Sequence, residues 1–176
     1  MTEVKVVNMV ATAILSAPLD LEEMAKMLPN SEQCKSAAKW LKYRLGPEKK
    51  YIAFYKSGKF LITGVRSRKE VHALVDKVVD ELMRYGMEVT VTEVRVNNIV
   101  LEGKLDLQVS LEDLIRMLDS GKASYEPEQF PGLLYKNWGV SFLLFSSGKF
   151  IITGVKDEKD IDSIAAKFEE MIRDIL

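Results

Sequence analysis

Cysteine is almost absent: Cys34 stands alone in 176 residues, so no internal disulfide can form. A reducing intracellular setting is therefore expected, with Cys34 read as a surface or half-buried thiol and a reactive thiol as the alternative. Histidine is equally scarce, and His72, inside a charged helical pattern, reads as solvated. No His/Cys/Asp cluster has metal-ligand spacing, so neither a metal nor another cofactor is expected. No apolar run approaches the roughly 18 residues of a membrane span. Met1-Thr2-Glu3-Val4-Lys5 lacks the pattern of a signal peptide, so no membrane partner is expected. Charge of one sign is missing too, because 25 basic and 26 acidic residues leave a net charge of −1. Such a chain has no field of its own to draw in nucleic acid, and any binding face must be local. Catalytic patterns are also lacking. Gly58-Lys59 and Gly148-Lys149 precede Phe60 and Phe150, where a phosphate-binding loop needs Ser or Thr. No nucleophile–base pair or carboxylate dyad stands out, and an enzyme is not expected.

What the chain has is repetition. Ser57-Gly58-Lys59-Phe60-Leu61-Ile62-Thr63-Gly64-Val65 returns 90 residues later as Ser147-Gly148-Lys149-Phe150-Ile151-Ile152-Thr153-Gly154-Val155. The same offset pairs Val6-Val7-Asn8-Met9-Val10 with Val96-Asn97-Asn98-Ile99-Val100, and Leu21-Glu22-Glu23-Met24 with Leu111-Glu112-Asp113-Leu114. Two copies are too few for an open solenoid and suit a closed, pseudo-two-fold arrangement. The repeats divide at 1–88 and 89–176. No Gly/Pro/Ser-rich linker separates them near Gly86 to Val91, so one fused body is expected.

Each repeat opens with an alternating β-branched stretch, Val4 to Ile14 and Val89 to Leu105, whose period of two marks a strand with unlike faces. A short helix follows, announced by Asp20 with Glu23 in the first copy and by Ser110 in the second. Strands are expected at Trp40 to Leu45, Tyr51 to Lys56 and Lys59 to Val65, then at Leu133 to Lys136, Ser141 to Ser146 and Lys149 to Val155. Gly58 and Gly148 supply the positive φ of tight hairpins. A long helix closes each repeat. In the first, Ser67 to Glu70 form a capping box, Gly86 is the C-terminal stop, and Val71, Leu74, Val75, Val78 and Leu82 form the apolar stripe. Ile161, Ile164, Ala165, Phe168 and Ile172 repeat that stripe. Single-faced helices cover one face of a sheet, so the class is α+β with the other sheet face open.

On that open face the pattern places Asn8, Val10, Thr12 and Ile14, with Asn98, Val100, Glu102 and Lys104 as counterparts. Asn among small β-branched residues suits a DNA minor groove, where it donates to base acceptors; the alternative is an Asn that satisfies a strand end. The string Tyr125-Glu126-Pro127-Glu128-Gln129-Phe130-Pro131-Gly132-Leu133-Leu134-Tyr135-Lys136, with Leu143 to Val155, closely resembles the stirrup region of archaeal TATA-box-binding proteins. That resemblance covers nearly the whole chain, strongly in copy two and more weakly in copy one. It implies a saddle in which ten curved antiparallel strands lie below four helices on the convex face. It also implies that the concave face opens and kinks the minor groove of a TATA element, with Phe pairs wedged into base steps. By position, Phe130 and Phe145 match one wedge pair, and Asn8 and Asn98 the central Asn pair. Val10, Val100, Leu61 and Ile151 match groove-floor aliphatics, Thr63 and Thr153 the Thr pair, and Arg44 and Lys136 backbone-contacting cations. Glu126 and Glu128 match the acidic residues that meet transcription factor B, through which RNA polymerase is recruited indirectly.

Copy one departs from that pattern. Its wedge position is Ala38, followed by Lys39 where the family has Pro, and Tyr55 holds the second wedge position, with Trp40 nearby as a substitute or as ordinary packing. Glu102 stands where copy one has Thr12, with Lys104 partly offsetting its charge. Two functions stay open: an initiation factor that binds and bends promoter DNA, and a paralogue with reduced or lost DNA binding that acts as a protein-interaction module. An accessory domain of a nucleic-acid enzyme is the remaining alternative. Pairing of two copies without DNA is also left open. The resemblance implies a cytoplasmic, nucleoid-associated protein in an archaeon, or a nuclear one in a eukaryote.

Overall fold

The computed structural model describes residues 2–34 and 39–176, and every count below refers to these. The chain runs β1 (Val4–Leu15), α1 (Leu21–Met27), β2 (Ser31–Cys34), β3 (Trp40–Leu45), β4 (Lys50–Tyr55), β5 (Lys59–Val65), α2 (Arg68–Arg84) and β6 (Val91–Lys104). It continues through α3 (Leu111–Met117), β7 (Ala123–Ser124), β8 (Leu133–Asn137), β9 (Val140–Leu144), β10 (Lys149–Val155) and α4 (Ile161–Ile175). The strands belong to a ten-stranded sheet in the order β2-β3-β4-β5-β1-β6-β10-β9-β8-β7. The pairings whose register is described are all antiparallel. The chain forms two compact units, Asn8–Asn97 and the residues up to Val7 together with Asn98–Leu176.

In the unit Asn8–Asn97 the helix signals act as the sequence indicates. Asp20 caps α1 by accepting from the Glu23 N–H at 3.2 Å. Ser67 caps α2 by accepting from the Glu70 N–H at 3.1 Å, and Glu70 accepts in return from the Arg66 N–H at 2.7 Å. At its other end the Met87 N–H donates to the Leu82 carbonyl and the Gly86 N–H to the Met83 carbonyl, each at 3.0 Å. This double closure requires the left-handed backbone that Gly86 adopts at φ +84°. Val71, Leu74, Val75, Val78 and Leu82 are all buried. Beneath them the strands alternate, with Leu41, Tyr43 and Leu45 buried on β3 and Phe60 and Ile62 on β5. The Tyr43 hydroxyl donates to Glu81 at 3.4 Å, and burial, then the Glu81 charge, pushes its pKa up to about 12.

The other unit is built around aromatics. Phe168 of α4 stacks on Phe142 of β9 with ring centroids 4.4 Å apart and packs against Phe150 of β10 at 5.1 Å. Strands β8 and β9 join through Trp138-Gly139, both at positive φ (52° and 75°), the two-residue hairpin geometry that matches strand twist. In α4, Ile161 and Ile164 are only half-buried, while Glu169 is buried among the apolar stripe. Its carboxylate accepts from the Thr2 N–H at 2.6 Å and from Arg173 at 3.1 and 3.2 Å, tying the start of the chain to the last helix. The Thr2 bond is the chief reason its pKa is lowered. A depressed carboxylate stabilises the fold above the ordinary carboxylate pKa, and that contribution is lost as the pH falls through the folded value. Glu169→Gln should therefore cost about 1 kcal/mol at neutral pH. That difference from wild type should vanish in acid. Urea melts of both proteins across the acidic range would show it, and a pH-independent gap would contradict it.

Strands β2 and β7 were not indicated by periodicity. They are short and polar, and they exist through pairing, Ser31–Cys34 against Tyr43–Trp40 and Ala123–Ser124 against Tyr135–Leu134. The remaining strands match the expected ranges with ends displaced by one or two residues. His72 is exposed and Cys34 half-buried, as read from the sequence. No described helix is long and apolar enough to cross a membrane.

Candidate nucleic-acid interface

In the unit Asn8–Asn97, the strand face opposite the buried one carries Asn8, Val10, Leu61, Thr63 and Tyr55, all half-buried, with Arg44 exposed. The β1–β5 register explains the Asn. Met9 pairs with Val65 but Ala11 with Ile62, so Thr63 and Gly64 together face the single residue Val10. This is a β-bulge, and Gly64 takes the positive φ it needs, +83°. A bulge takes a backbone N–H out of the ladder and leaves it open to a side-chain acceptor. Asn8 Oδ1 supplies one, accepting from the Gly64 N–H at 2.8 Å, while its Nδ2 lies 3.1 Å from Thr63 Oγ1. Leu61 stands between Thr12 and Ala53 in register, giving an aliphatic floor beside the Asn–Thr pair. Arg44 lies over the Tyr51 ring at 5.0 Å. Tyr55 pairs in register with Trp40. Ala38, where the sequence lacks a wedge, is outside the described residues.

The unit containing Asn98–Leu176 repeats the device. Leu101 pairs with Ile152 but Ile99 with Val155, so Thr153 and Gly154 face Val100. Asn98 Oδ1 accepts from the Gly154 N–H at 2.6 Å. With Oδ1 committed, Nδ2 is the group left to donate, which fixes the chemical sense of the amide on this face. Val100, Ile151 and Thr153 are half-buried beside it, and Lys136 is exposed. At one end Phe130, 46% exposed, meets Phe145 edge-to-face at 6.0 Å. Gly132 makes that pair fit, because a Cβ there would lie 2.8 Å from the Phe130 ring and 3.1 Å from Phe145. The turn before it is held by the Glu126 carbonyl, which accepts from the Gln129 and Phe130 N–H groups at 2.9 and 3.0 Å. The Glu126 and Glu128 side chains stand exposed beside the Phe pair.

Three features escaped the sequence reading. The Asn–bulge bond was signalled by Gly64 and Gly154 inside strand patterns, which mark bulges. The support that Gly132 gives both rings had no such signal. Nor did the ion partner of Glu102, which is Lys149 at 3.3 Å rather than Lys104.

The family described as "Transcription factor TFIID (or TATA-binding protein, TBP)" matches residues 3–85 and 93–175, one segment per repeat. The TATA-box-binding protein of Methanocaldococcus jannaschii is 34% identical over 176 residues, 98% of this chain and 95% of that one. That of Sulfurisphaera tokodaii is 36% identical over 96% of this chain and 86% of its own length. The solved structure titled "Methanococcus jannaschii TBP" superposes with a TM-score of 0.85 at 34% identity, covering 98% of this chain and 99% of that one. Two matched repeats, a shared fold and a third of all residues in common over nearly the full length place this chain in the TATA-binding protein family.

Proposed function

We propose that this protein is a transcription initiation factor that binds promoter DNA in the minor groove, bends it and recruits transcription factor B, which brings in RNA polymerase. The observation that carries this reading is the Phe130–Phe145 pair, an apolar edge-to-face wedge propped by Gly132, with Phe130 exposed and Phe145 half-buried. Exposed Phe rings gain by leaving water, and a partly unstacked base step offers them a flat apolar slot. The Asn–Thr–Val surfaces beside the bulges supply donors and small aliphatics suited to a groove whose floor presents mainly acceptors. The relatives' name supplies the class of DNA element.

Glu126 and Glu128 are the proposed contacts for transcription factor B. Glu126 holds the Phe130 turn through its backbone carbonyl, so its side chain can be exchanged without removing that support. Glu126→Arg with Glu128→Arg is therefore expected to leave duplex binding intact while weakening the joint complex with factor B by about tenfold or more. Anisotropy titration of a TATA duplex, with and without factor B, reads both quantities. Loss of both together, or of neither, would contradict the assignment. The Glu102 carboxylate on the same face favours the second reading, a module with little DNA affinity. Factor B binding without binding to any duplex would establish that one instead.

A further inference from the structure

Glu102 is the residue of the open face that an A·T-reading surface does not explain. It lies in β6 opposite Ile151 of β10, on the face that carries Val100. Its side chain is 30% exposed, and its Oε1 is 3.3 Å from Nζ of Lys149, itself 49% exposed. The corresponding residue of the other repeat is Thr12, opposite Leu61 and 9% exposed, whose hydroxyl accepts from Asn97 Nδ2 at 3.1 Å. A hydroxyl both donates and accepts, whereas an ionised carboxylate only accepts. One repeat therefore carries an acceptor where the other carries an adaptable group.

In the minor groove an A·T pair offers acceptors alone, and a G·C pair adds one donor, the guanine N2 amino group. Over A·T, Glu102 would lose hydration and face only other acceptors, an uncompensated cost. Over G·C it would gain a charge-assisted hydrogen bond. Lys149 makes that placement tolerable. It neutralises the carboxylate locally, and an ammonium has three donors, so one bond to Glu102 leaves others for a phosphate. We propose that Glu102 reads a guanine N2 amino group, so that the preferred duplex carries a G·C pair under the repeat that bears Phe130 and Phe145. This rests on the DNA-binding reading above.

The test is anisotropy titration of the full chain against a TATA duplex in which each base pair is replaced in turn by G·C, inosine·C or 2,6-diaminopurine·T. Guanine and diaminopurine carry the N2 amino group, and inosine and adenine lack it. At one position G·C and diaminopurine·T should bind about tenfold or more tightly than inosine·C and A·T. Glu102→Thr should erase that preference while melting at the wild-type temperature. If duplexes bind but no position favours the amino group, or if Glu102→Thr retains the preference, the Glu102 inference falls and the DNA-binding reading stands. If no duplex binds, both fall. The wild-type comparison decides the matter even if the variant fails to fold.

Discussion

Phe130→Ala and Phe145→Ala should each remove most of the bend at their end of a TATA duplex and weaken binding by about ten- to a hundredfold, the loss of one stacked aromatic contact. Unstacking a base step costs roughly a few kcal/mol, and an Ala has no surface with which to offset it. The two rings meet edge-to-face at 6.0 Å, so each also positions the other, and the double variant should lose less than the sum of the single ones. Tyr55→Ala should matter far less. Tyr55 is half-buried beside Trp40, and its hydroxyl must stay paired or wet, which makes it a poor wedge. Energy transfer between dyes on the duplex ends measures the bend. Equal losses for Tyr55→Ala and Phe130→Ala, or an unchanged bend in both Phe variants, would contradict the assignment.

Phe168→Ala is the substitution expected to harm folding most, by about 3–5 kcal/mol. Its ring is 1% exposed and lies nearly parallel to Phe142, 9° between planes, with Phe150 on another side. Phe142 and Phe150 are themselves fully buried, so neither can move into the gap without leaving its own strand packing. The removed ring thus leaves a cavity as well as losing its transfer free energy. Ile164→Ala, four residues before it in the stripe but only half-buried, should cost much less. Urea denaturation of both variants checks the order, and a Phe168→Ala loss below that of Ile164→Ala would overturn it.

The repeat and the elements within it were legible in the chain because their causes are local. Capping needs a Ser or Asp at one position, and Ser67 and Asp20 do there what the pattern says. Burial on one helix face needs apolar residues at helical spacing, and Val71, Leu74, Val75, Val78 and Leu82 are buried accordingly. The Phe130–Phe145 pair, Asn8 and Asn98 and the aliphatics around them could likewise be singled out by position, since two copies of one motif and a family resemblance both identify positions. What could not be read is what residues far apart in the chain do to one another. β2 and β7 are too short and polar to have a period, and they are strands only because β3 and β8 offer them an edge. Asn8 and Asn98 were visible as polar residues in apolar strands, yet their oxygens are engaged by glycine amides that a bulge frees more than fifty residues away, at |i−j| of 56 in both cases. Glu102 reads from the sequence as a carboxylate only partly offset by Lys104, and the register of β6 with β10 instead brings Lys149 within 3.3 Å. Composition and spacing determined the elements, their repetition and the side chains on offer. Strand register, which depends on contacts between distant parts of the chain, decided which donor meets which acceptor.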